Sequence, residues 1–181
     1  MDEVFEKQLE DLKKKVGRIE SGRKDKMTLV VFSGELDKLL AAMIIATGAT
    51  AMDMEVNLFF TFWATAALRD PKKNVAGKNL MSKMFGFMLP KGAKKVKLSK
   101  MNMGGMGKAM MTNLMKKKGV ASLDEMFKTA AELGVVINVC EMSMDLMGFK
   151  LEELIDYPNL NICGVGTFLA DAEESKIQLF I

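Results

Sequence analysis

Val135-Val136-Ile137-Asn138-Val139-Cys140-Glu141-Met142-Ser143-Met144-Asp145-Leu146-Met147-Gly148 changes its period halfway along. Up to Val139 it is an apolar, β-branched run of strand length. From Met142 to Met147 it reads as the start of a helix. A strand that passes directly into a helix is the repeating unit of an α/β fold. The junction carries a thiol, Cys140, at a place where unpaired backbone N–H groups favour negative charge.

The same alternation extends in both directions. Upstream, Ser122 can cap a helix over Leu123 to Leu133 that stops at Gly134. Met27 to Phe32 and Val56 to Phe62 read as two further buried strands, separated by an Ala-, Leu- and Met-rich helix over Leu36 to Met52. Trp63 to Leu68 reads as a short helix. Downstream, Lys150 to Ile155 forms a helical turn, Leu160 to Cys163 a short strand, Val165 to Ala172 a helix and Lys176 to Ile181 a terminal strand. Strands apolar throughout and separated by helices predict a mainly parallel sheet of about five strands in a three-layer α/β sandwich. Ligands in such folds bind beyond the carboxyl ends of the strands. Ser33-Gly34, Phe62-Trp63, Cys140-Glu141 and Cys163-Gly164 all fall at those ends.

Two segments stand outside the alternation. Residues 1–26 read as an amphipathic helix and linker. Val4, Leu9, Leu12, Val16 and Ile19 form a stripe with Phe5 beside it, and Ser21 to Lys26 breaks the pattern. The α/β domain is expected over 27–181, with residues 72–118 as a basic, Met-rich helical insertion. Lysines recur through that insertion, Lys72, Lys73, Lys78, Lys83, Lys91 and onward to Lys118, with no Asp or Glu between them. Met81, Met84 and Met88, then Met103, Met106, Met110 and Met111, keep helical spacing. Two amphipathic helices joined near Pro90-Lys91-Gly92 are expected, facing the rim, a partner or an anionic membrane surface.

Composition narrows the function classes. In 181 residues, 49% hydrophobic content supports a substantial core, and a net charge of +3 does not point to nucleic acid as a partner. Two cysteines and no histidine argue against a disulfide framework and a metal centre, and an N-terminus charged from Asp2 onward, with no secretory leader, makes a reducing cytoplasm the expected compartment. The most apolar stretch, Leu39 to Leu68, is interrupted by Gly48, Asp53, Glu55 and Asn57, and reads as a buried helix and strand rather than a membrane span.

Without histidine, the commonest catalytic base is missing. An unperturbed thiol is only about 3% thiolate at pH 7, and half ionised once its pKa falls to about 7. Cys140 is therefore the candidate nucleophile, with Glu141 opposing its ionisation if near the sulfur. Ser143 either donates to its anion or only caps the helix, and Met142, Met144 and Met147, with Trp63, would wall it from water. Cys163 is a candidate second thiol, either a disulfide partner of Cys140 or a core thiol beside a glycine turn. Ser33-Gly34 reads as a cap at the same rim. No cofactor is called for: Gly164-Val165-Gly166 lacks the rest of a dinucleotide fingerprint.

Val31 to Lys38, Asn57 to Trp63 and Cys140 to Gly148 together resemble the DsrE/DsrF-like proteins, in particular the branch often labelled "peroxiredoxin family protein". The resemblance covers Met27 to Ile181. It implies a three-layer fold, homo-oligomeric assembly and sulfur trafficking, in which Cys140 would carry sulfane sulfur as a persulfide. Exchange would be with small carrier proteins of the TusA type, as a sulfurtransferase-like carrier. The alternatives are a nucleotide- or flavin-binding α/β module, and a peripheral membrane or assembly protein without catalysis.

Overall fold

The structure is a computed structural model that describes residues 2–22, 24–75 and 80–181. Its elements are α1 (Asp2–Gly22), β1 (Lys24–Val31), α2 (Leu36–Thr50), β2 (Glu55–Phe60), α3 (Leu80–Met88) and α4 (Met106–Lys117). After these come α5 (Leu123–Glu132), β3 (Val136–Cys140), α6 (Glu141–Met147), β4 (Leu160–Cys163), α7 (Val165–Glu174) and β5 (Ser175–Phe180). The five strands form one sheet in the order β4-β3-β2-β1-β5, and every neighbouring pair is parallel. The predicted three-layer α/β class is the one observed.

Strand order explains the layers. From β1 the chain steps outward through β2 and β3 to β4, then returns to the far side of β1 for β5. A reversed direction with the same right-handed crossover puts the last helix on the opposite face. One face is covered by α2 and α5, which pack on each other. Its core takes alternate strand residues: Met27, Leu29 and Val31; Val56, Leu58 and Phe60; Ile137 and Val139. The other face carries Val30, Phe59 and Cys140, with Cys163 and Phe168 of α7 packed on them.

α5 forms because its ends are satisfied. The Ser122 hydroxyl accepts from the Glu125 N–H while the Glu125 carboxylate accepts from the Ser122 N–H, a capping box. A buried cation fixes α3 to the body of the fold. The Arg69 guanidinium lies 4.5 Å from the Phe149 ring centroid and 3.5 Å from a Glu153 oxygen, and donates to the Gly86 carbonyl at 3.2 Å. Gly148, at φ 63, brings α6 so close to α3 that a β-carbon there would lie 1.9 Å from the Ser82 hydroxyl oxygen.

Several boundaries differ from the sequence reading. The expected linker at Ser21–Lys26 is mostly structure: α1 runs to Gly22 and β1 opens at Lys24. The charged start of β1 is tolerated because Lys26, 4% exposed, lies 2.5 Å from Asp171 of α7. The second strand ends at Phe60, and Phe62–Leu68 is a 3-10 helix. Between α3 and α4, Ala93–Lys95 and Met103–Gly105 are further 3-10 turns. The side chains of Val4 and Ile19 lie outside the described residues, as do Arg23 and Lys78. Among the described residues of α1, Phe5, Leu9, Leu12 and Val16 are exposed.

Candidate functional site

The sheet register places three side chains in one row at the carboxyl ends of the strands. Phe60 pairs with Val139, so the next residues, Thr61 and Cys140, are level, and Cys140 is itself the register partner of Cys163. Pleating sends all three toward the α7 face. Cys140 ends β3 and stands as the N-cap of α6 with extended backbone, at ψ 113. It is 5% exposed.

A hydroxyl pair lies beneath it. The Thr61 and Ser143 hydroxyl oxygens are 2.8 Å apart, both buried, and the Phe62 N–H donates to the Ser143 oxygen at 3.0 Å. One hydroxyl hydrogen is consumed between Thr61 and Ser143, which leaves the other for a sulfur anion. Burial raises the cost of ionising Cys140. Hydrogen bonding from the Ser143–Thr61 hydroxyl pair and from the Ser143 and Met142 N–H groups outweighs it, so the thiol pKa falls below its ordinary value. The Met142 and Ser143 N–H groups belong to the first turn of α6, the seven-residue helix that follows Cys140. The arrangement can hold a sulfur anion in a mostly dry place.

Phe62 has φ 44, a left-handed backbone that a bulky residue adopts at a cost of about 1–3 kcal/mol. This turn aims its N–H at Ser143. Phe62 also packs on Phe32, at 5.3 Å between ring centroids, and Phe32 stacks on Phe180 at 5.9 Å. An aromatic string therefore joins β5, the end of β1 and the turn that supports the site.

The remaining expected residues fall in different places. Glu141 and Met142 are exposed on the outer side of α6, whereas Met144 and Met147 are buried in the large core. The methionines therefore do not form one wall over the thiol. Trp63 is 47% exposed. It lines a surface hollow of about 560 Å³ with Gly34, Phe87, Met88, Lys91 and Lys95. Gly34 is there for space, since a β-carbon on it would lie 2.4 Å from the Trp63 carbonyl oxygen. The Ser33 hydroxyl accepts from Lys38 at 3.3 Å and does not cap α2 as expected, because the N-cap position falls on Glu35. Cys163 is a free thiol like Cys140. Burial, together with the charges of Cys140, Asp171 and Glu141, raises its pKa, while the Thr167 hydroxyl works in the other direction.

Thr61 is the residue that sequence reasoning missed. Its signal was its place, one position beyond a buried strand that neighbours the cysteine strand. Among the described residues no group of three or more acidic or thiol side chains is gathered as a metal site, and no helix is long and apolar enough to cross a membrane.

Comparison with known proteins agrees with this architecture. Protein YrkE of Bacillus subtilis (strain 168), itself described as uncharacterized, is 48% identical over 154 residues, which is 85% of this chain and 95% of that protein. The sulfur carrier protein DsrE2 of Allochromatium vinosum is 34% identical over 160 residues, covering 86% of this chain and 98% of its own length. The crystal structure of the ychN protein from E. coli matches with a TM-score of 0.50 at 14% identity over 86% of this chain and 98% of that one, a likeness of fold. The family model described as the DsrE/DsrF/DrsH-like family matches residues 23–180, and the chain belongs to that family.

Proposed function

We propose that this protein is a sulfur carrier in which Cys140 takes up sulfane sulfur as a persulfide and passes it to or from small carrier proteins of the TusA type. One observation carries the reading: Cys140 sits at the end of β3 with its thiol pKa lowered by the Ser143, Thr61 and Met142 donors. A persulfide is a larger anion of the same kind and would use the same donors. The naming of a relative as a sulfur carrier supports sulfur as the cargo.

In uptake, the Cys140 thiolate attacks the outer sulfur of a donor persulfide, and the donor leaves as a thiolate. In delivery the carrier's thiolate attacks the outer sulfur on Cys140, and Cys140 leaves as the stabilised thiolate. The donors favour both directions because they hold the anion without supplying a proton. Free thiols suit a reducing compartment such as the cytoplasm.

The insertion is the proposed docking surface for the carrier. α3 packs against α6, and it exposes Met81, Met84, Phe87 and Met88 beside lysines. Homo-oligomeric assembly belongs to the same reading, since Leu169 of α7 and Ile177, Leu179 and Phe180 of β5 are exposed apolar side chains.

Intact-mass measurement after incubation with a sulfane donor tests the reading. One added sulfur atom is expected on the parent chain and none on Cys140→Ser. Equal loading of the variant would refute the assignment.

A further inference from the structure

We propose that Cys163 is the resolving thiol of this site: it attacks a Cys140 persulfide, expels its outer sulfur as hydrosulfide and leaves a Cys140–Cys163 disulfide. This rests on the carrier reading of Cys140.

Register is the first support. Cys140 and Cys163 are direct partners on neighbouring parallel strands, and both belong to the apolar cluster on the α7 face. Neighbouring strands lie about 4.8 Å apart. That falls within the roughly 4.4–6.8 Å between α-carbons that a disulfide spans. Bridging therefore needs a rotation of two side chains and no rearrangement of the sheet.

Access is the second support. Cys140 is almost entirely buried, whereas Cys163 is partly exposed. An outside thiol must reach into the site, but Cys163 is already beside it. β4 is also an edge strand, bonded only to β3, which leaves its end freer to adjust.

The step balances without any added oxidant. The Cys163 sulfur forms a bond to the Cys140 sulfur, and the bond between the two persulfide sulfurs breaks. Its electron pair leaves with the outer sulfur as hydrosulfide. The Cys163 sulfur is oxidised, the outer sulfur is reduced, and the thiol proton goes to the departing sulfur, so that the persulfide anion releases hydrosulfide. A dithiol reductant returns the disulfide to two thiols.

The environment of Cys163 sets the pace. Burial and the neighbouring charges of Cys140, Asp171 and Glu141 keep its thiol protonated to higher pH. Delivery to a docked carrier therefore goes first, and resolution discharges sulfur that no carrier collects.

The experiment loads the full chain with inorganic polysulfide under anaerobic, thiol-free conditions, removes the excess and follows intact mass and free sulfide. Parent chain, Cys163→Ser and Cys163→Ala are compared, so that one unsuitable substitution does not decide the result. The parent is expected to gain one sulfur, then fall to a mass two hydrogens below the reduced chain, with one sulfide released and a peptide linking Cys140 to Cys163. Both variants should hold their sulfur at least about tenfold longer. A parent that keeps its sulfur as long as the variants, with no linked peptide, overturns the resolving role and leaves the carrier reading intact. A parent that never gains sulfur overturns the carrier reading and this role with it.

Discussion

The two faces of the sheet are built differently. Beneath α2 and α5 lies a continuous apolar core that takes Met27, Leu29, Val31, Val56, Leu58, Phe60, Ile137 and Val139 from the strands. Beneath α7 the buried apolar residues are Val30, Phe59 and Cys140. Their neighbours there are polar: Thr28 bonded to Ser175 at 2.7 Å, Lys26 paired with Asp171, and Asn138 close to both Asp171 and Asn161. The first face holds the fold together by burial. The second has both thiols and a hydrogen-bond network, and such groups hold their geometry through directional partners rather than area. The candidate site lies on the face with fewer buried apolar residues.

Substitutions can break or sharpen this contrast. The largest effect is expected from Cys140→Ser, which should abolish sulfur uptake by intact mass while leaving the denaturation midpoint nearly unchanged, because serine is close in size. Next is Phe60→Ala, fully buried on the α2 and α5 face, with an expected cost of about 3–5 kcal/mol in chemical denaturation. A Phe60→Ala cost below that of Ser143→Ala would reverse the assignment of the two faces.

Gly148→Ala should cost about 1–3 kcal/mol, since it adds a side chain at positive φ and a clash with Ser82. Its distinctive signature would be faster proteolysis within α3, with α2 and α5 unaffected.

Smallest in stability is Ser143→Ala, read by pH. Alkylation of Cys140 should rise with pH through a midpoint below that of a free cysteine, because its donors favour the thiolate. Removing a donor moves that midpoint upward and slows alkylation at neutral pH, by about tenfold for each pKa unit. Measured in a Cys163→Ser background, the rate reports Cys140 alone. An unmoved midpoint would mean that the Ser143 hydroxyl only supports the Phe62 turn.

Much of this architecture was legible because it depends on local pattern. The run through Cys140 announced a buried strand and a helix, and β3 and α6 meet at that residue. Ser122 and Gly134 marked the ends of α5 through capping chemistry that is local in sequence. What could not be read depends on partners far along the chain. Lys24 to Lys26 looked like a linker because charge argues against a buried strand, and only Asp171, brought over by α7, makes Lys26 acceptable there. The level of Cys163 beside Cys140 required knowing that β4 neighbours β3. Thr61 looked like any strand residue until its hydroxyl was seen against Ser143. Residue type alone gives the methionines of α6 one role, but position on the helix divides them between core and solvent.

The left-handed turn at Phe62 also gives the protein an optical reporter. The chain contains a single tryptophan, Trp63, immediately after the residue whose N–H rests on Ser143. Under the proposed function, sulfur added to Cys140 would compete for the same hydroxyls and redistribute the hydrogen bonds that hold the turn. A half-exposed indole one residue away is placed to register that change as a shift in emission. Loading and discharge should therefore be visible in real time, in unlabelled protein, by its own fluorescence.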